Sequence, residues 1–153
     1  MKTKALNYQE KIIILWTIFL LGTLFHTQLG LMPLFHGISV AGTHAHDRAT
    51  DTDIANIAYI FWLMLGFFLL PMIAIIATTF YESRRYRVVH FGLTVFYTII
   101  NFLHIVLDLF VDPIAWYQIF LMVFVFLVGI LLNIISFQWM QSRSSRIKLT
   151  KTV

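Results

Sequence analysis

Apolar residues fall into four long runs along this chain, separated by short polar stretches. The runs cover about 11–35, 54–80, 88–111 and 114–140, and a longer polar connection over 36–53 joins the first two. At a helical rise of about 1.5 Å per residue, each run can cross a hydrocarbon core. None alternates apolar and polar positions as a barrel strand does, and all are too long for one. The pattern predicts an all-α fold, an integral membrane four-helix bundle forming a single transmembrane domain over 1–153. Short connections at 81–87 and at Asp112-Pro113 make consecutive spans antiparallel neighbours, in up-down-up-down order. Pro113 disfavours helical geometry at Asp112, which is the expected stop for the third span.

Composition agrees with that class. Hydrophobic residues make up 59% and charged residues 12%, against roughly half and a quarter in soluble domains. The formal charge of +4 is distributed by side of the membrane and does not form a nucleic-acid patch. Lys2, Lys4 and Lys11 precede the first run, Arg84, Arg85 and Arg87 separate the second from the third, and Arg143, Arg146, Lys148 and Lys151 follow the fourth. Only Arg48 lies in the first connection. Lys and Arg collect on the cytoplasmic side, so both termini are expected there, in a bacterial cytoplasmic membrane. All five aspartates (Asp47, Asp51, Asp53, Asp108 and Asp112) then fall at or near the outer face. The first run is long and no small-residue cleavage site follows it, so it is expected to remain as a helix. There is no cysteine, which removes thiolate metal sites, iron–sulfur clusters and cysteine nucleophiles together.

Within this apolar text, ionisable residues carry the chemical signal, because burying them in hydrocarbon is costly. His26 lies about 22 Å into the first run and His104 about 24 Å into the third, so both sit in the outer half at matching depth. The two runs are parallel, and in a four-helix bundle they would be diagonal, facing a shared interior. Tyr97, Asn101, His104 and Asp108 follow one another at helical spacing along one stripe. The pair His104 and Asp108 can ligate one metal, or the carboxylate can fix the imidazole tautomer. Gly22 and Gly30, each four residues from His26, allow another helix or a flat ligand to come close. The outer connection adds His36, His44, His46 and Asp47. Asn133 is expected to bond between helices. His90, beside the arginines, is expected at the cytoplasmic interface, and the tryptophans Trp16, Trp62, Trp116 and Trp139 are expected as interface anchors or lipid-facing rings.

These residues support three functional expectations. The first is a transition-metal site near the outer face, with His104 and Asp108 as candidate ligands and some of His36, His44, His46, Asp47 and His26 completing it. Imidazole and carboxylate ligands suit Fe, Cu, Zn or Mn alike, in metal handling or membrane redox. The second is one b-type haem held by His26 and His104. The spacing of His90 and His104 resembles that on one helix of di-haem membrane cytochromes b, but the first run has no second histidine to complete that pair. The third is a non-catalytic accessory subunit whose polar stripe meets a membrane-complex partner or a second copy, or takes a quinone or pigment. An intramembrane hydrolase lacks its parts, with no HExxH motif and no serine nucleophile opposite a histidine. An enzyme is thus the less favoured class.

The run LGTLFHTQLGLMPLFHG (21–37) and the ending NIISFQWM (133–140) resemble small four-span membrane proteins of cyanobacteria that carry no assigned activity. That resemblance spans most of the chain and implies a photosynthetic-type membrane, without implying ligands or a reaction.

Overall fold

A computed structural model describes residues 6–36, 51–111 and 114–142, with backbone only for 51–57. Four helices make up these parts: α1 (Tyr8–Phe35), α2 (Asp51–Phe80), α3 (Arg84–Asp108) and α4 (Trp116–Gln141). All four are long and apolar enough to cross a membrane, α2 over Ala58–Phe80.

Three helices begin earlier than the apolar runs, α1 at Tyr8, α2 at Asp51 and α3 at Arg84. Asn7 and Glu10 form a reciprocal capping box: the Asn7 Oδ1 accepts from the Glu10 amide at 2.8 Å, and Glu10 Oε2 accepts from the Asn7 amide at 2.8 Å. The Ser83 hydroxyl accepts from the Tyr86 amide and starts α3 at Arg84. The arginines expected in a connection therefore lie in the first turn of α3. That helix ends at Asp108, short of Val111; Asp112 and Pro113 lie outside the described residues.

α4 packs along both α1 and α3, and α2 packs on α1. Close backbone approach explains the first two contacts. A Cβ on Gly22 would stand 2.5 Å from the Val125 methyl of α4, and one on Gly129 would stand 2.9 Å from Thr98 Oγ1 of α3. Gly22 therefore admits a helix, not a flat ligand. Asn133 Nδ2 donates to the same Thr98 hydroxyl at 3.0 Å, the expected bond between helices. Contact pairs advance together between α1 and α3, Trp16 meeting His90 and His26 meeting His104. Between α3 and α4 they run oppositely, Phe91 meeting Phe137 and Phe102 meeting Phe126.

Around an apolar core that includes Ile12, Trp16, Phe19, Val125 and Leu132, α3 turns polar residues inward. The buried stripe of α3 reads Arg87, His90, Thr94, Tyr97, Thr98, Asn101 and Ile105. Its exposed positions include Val88, Val89, Phe96, Ile99, Phe102, Leu103 and Leu107. A polar seam inside and an apolar surface outside suit lipid as the solvent.

At the end of the bundle where α1 and α3 begin, two expectations are corrected. His90 is buried at 1% exposure rather than interfacial, and its Nε2 accepts from Trp16 Nε1 at 2.9 Å. Trp16 and Trp139 are likewise core residues, whereas Trp62 and Trp116 are exposed. Arg87 is buried too. Its Nη1 donates to the Trp139 carbonyl and to both oxygens of Ser142, and its guanidinium stands 5.2 Å from the Trp139 ring centre. It thereby ties the start of α3 to the end of α4, where the Trp139 carbonyl also accepts from the Ser142 amide and hydroxyl.

α2 is joined to α3 by a different device. Pro71 has no N–H to offer the carbonyl four residues back, that of Phe67. The Tyr97 hydroxyl donates to that carbonyl at 2.8 Å. About two turns further, Tyr86 donates to the Ala74 carbonyl at 2.8 Å. From Pro71 onward α2 buries Pro71, Ala74 and Thr78; before it, the described side chains are exposed or half-buried.

Candidate metal centre

The buried stripe of α1 descends through Ile12, Trp16, Phe19 and Thr23 to His26. Each step is three or four residues, so His26 must face the interior wherever Trp16 does. On α3 the same logic carries the polar stripe from Tyr97 through Asn101 to His104 and Asp108. The two stripes converge. His26 Nε2 and His104 Nε2 are 3.2 Å apart, with ring centres 5.1 Å apart and planes near perpendicular at 83°. Asp108 closes the group, Oδ1 lying 3.5 Å from His104 Nε2 and Oδ2 3.8 Å from His26 Nε2.

One ligand atom from each of His26, His104 and Asp108 lies within 4.8 Å of the others. Donors held 2.0–2.1 Å from a tetrahedral ion stand about 3.3–3.4 Å apart; the two Nε2 atoms at 3.2 Å and Asp108 Oδ1 at 3.5 Å from His104 Nε2 come near that spacing, whereas the 3.8 Å approach to His26 Nε2 is made by the other oxygen, Oδ2. A fourth position is left to solvent or to another ligand. Two imidazoles and one carboxylate also match the ligand set of non-haem iron(II) sites with open positions.

Burial grades across the group. The His26 side chain is 10% exposed, that of Asp108 23% and that of His104 47%. His26 Nδ1 and Asp108 Oδ2 are buried without a hydrogen-bond partner among the described residues. Without an ion, a single imidazole proton between the two Nε2 atoms must hold the histidines together, and the nearby carboxylate lacks a hydrogen bond at Oδ2.

The expected site residues divide as follows. His104 and Asp108 come together in one group, and His26, expected as a haem ligand or as a further ligand to an ion, joins them. His36 is an exposed C-cap residue of α1 and stands outside this three-residue group. His44, His46 and Asp47 lie outside the described residues. Asn101, one turn from His104, is buried at 3% exposure with its Oδ1 unpartnered among the described residues. Each stripe follows from spacing along its own helix; the packing of both α1 and α3 on α4, which brings His26 to Asp108, has no signature in either.

A cavity of about 560 Å³ opens beside the histidines, between α1, α2 and α3. His26, Asn101 and His104 supply polar wall, and Trp62, Phe67 and Phe96 supply much of the rest. The α2 residues that line it, from Trp62 to Leu70, all precede Pro71. No family model, curated protein or solved structure matches this chain.

Proposed function

We propose that this chain is a four-span integral membrane protein that holds a transition-metal ion through His26, His104 and Asp108, in metal handling or membrane redox. The spans run up-down-up-down, with both termini on the cytoplasmic side and the ion near the outer face of a bacterial cytoplasmic or thylakoid membrane. One observation carries this reading. Three donors of the right chemistry lie within 4.8 Å of one another, and Asp108 Oδ2 among them is buried without a hydrogen-bond partner among the described residues, where an apolar solvent makes unpaired polar groups costly. The ligand set suits Fe, Zn, Mn or Cu, with a vacant position for a loop ligand such as His44 or His46, for water or for a substrate atom.

A haem b between His26 and His104 is the second reading, favoured by the cavity beside both rings. Two axial imidazoles on one iron lie about 4 Å apart across the macrocycle. The 3.2 Å between these nitrogens therefore suits a shared small ion better.

Titration of the detergent-purified protein with Co²⁺ tests the first reading. One equivalent should bind with the intense visible bands of a tetrahedral ion, and H26A, H104A and D108A should each weaken binding at least tenfold. The H44A/H46A pair should weaken it only if the loop supplies the fourth ligand. A wild type without those bands, but with a reducible Soret band and one iron per chain, would replace the ion by haem. Neither signal would sink both readings and leave an accessory role in a membrane complex.

A further inference from the structure

The cavity between α1, α2 and α3 is built for more than packing. Its walls are almost wholly apolar, yet the polar groups that line it include His26, Asn101 and His104. Asn101 decides what could fit. Its side chain is buried, lines the cavity, and leaves Oδ1 without a partner among the described residues. A buried amide without partners costs about 1–3 kcal/mol, so a molecule bonding to it would be favoured there.

Three features narrow the occupant. Phe67, Phe96, Tyr97 and Trp62 offer ring faces and edges, which suit a flat ring over a flexible chain. The walls continue into surface that faces lipid, Trp62 and Leu63 being 73% and 67% exposed, so an apolar tail can remain in the bilayer. The unpartnered Oδ1 can only accept, so it pairs with the hydroxyl of a quinol, while a quinone carbonyl takes its bond from the Nδ2 of the same amide. We infer that this cavity binds the ring of a lipid-soluble quinone or quinol, one ring oxygen bonded to Asn101, with the tail leaving between α2 and α3. An acyl chain gives Asn101 nothing to bond. The inference holds whether or not an ion occupies the neighbouring histidines.

Gly66 provides the means to test it. Gly66 lines the cavity, and a Cβ there would meet nothing within 4 Å. A phenylalanine at this position should fill the space without displacing a helix. The experiment is photolabelling of the full-length protein, in quinone-free lipid nanodiscs and without added metal, by an azido-benzoquinone carrying a decyl tail. Adducts should map to Trp62–Leu70 and Phe96–His104, saturate, and be competed by decyl-benzoquinone but not by decanol. G66F should lose saturable labelling, and N101L should weaken competition about tenfold, the value of one hydrogen bond of about 1.4 kcal/mol. Both variants should retain the wild-type melting temperature within a few degrees. Adducts scattered over the lipid-facing surface, or equal competition by decanol, would overturn the inference. So would unchanged labelling in a folded G66F or N101L. Cobalt binding is read separately by its visible bands, so the metal reading and this one fail independently.

Discussion

Tyr97 illustrates how single residues hold this bundle together. Its ring packs edge-on against Trp16 and Phe19, while its hydroxyl repairs the hydrogen bond that Pro71 removes from α2. The two roles separate by mutation. Y97F keeps the ring and leaves the Phe67 carbonyl unpaired, which should cost about 1 kcal/mol in a bundle of this kind. P71A restores a backbone donor to that carbonyl, so Y97F should cost close to nothing in its presence. A double-mutant cycle of melting or SDS titration checks this; additive effects would show that the hydroxyl matters for another reason. His90 teaches a related lesson. Sequence position beside the arginines suggested an interface, but its place on the stripe Arg87, His90, Thr94, Tyr97 was the better guide, because helical phase decides burial more directly than proximity to charge.

At the scale of elements, glycine separates surface from contact. Gly129 lies where α4 crosses α3, and an added methyl would meet a Thr98 hydroxyl held in two hydrogen bonds, to the Thr94 carbonyl and from Asn133. That oxygen cannot give way cheaply. Gly92 is exposed on α3, and a Cβ there meets nothing within 4 Å. G129A should therefore destabilise by about 1–3 kcal/mol through overpacking, whereas G92A should stabilise by up to about 1 kcal/mol through helix propensity. Thermal unfolding in detergent distinguishes the pair, and a like sign for both would discount the crossing as a tight contact. The helices themselves were plain in the apolar runs. Their starts were legible as well, in Asn7 with Glu10 and in Ser83, but capping signals lie outside the hydrophobic text and a boundary drawn on hydropathy passes over them.

For the molecule as a whole, the absence of cysteine makes the proposed orientation directly measurable. T43C should react with a membrane-impermeant maleimide in intact cells or vesicles of native sidedness. S144C should react only after the membrane is opened. The reverse pattern would turn the protein over and move the histidine group to the cytoplasmic half. Loss of both labels after an alkaline wash would instead remove the chain from the membrane altogether.

Amino-acid order alone determined the four apolar helices, the gathering of Lys and Arg at one set of helix ends, and the polar stripes that single out His26, His104 and Asp108. Each follows from local physics: the helical rise, the helical phase, and the cost of an ionisable group in hydrocarbon. Tertiary structure decided which stripes meet. The close approaches at Gly22 and Gly129 set α4 against α1 and α3, the His90–Trp16 bond sets the level of α1 beside α3, and these together bring His26 within reach of Asp108. Ahead of Pro71, α2 lines a cavity instead of closing on its neighbours. Spacing along one helix cannot carry that information, because a binding site depends on distances between helices, and those arise only when side chains from separate helices are packed together.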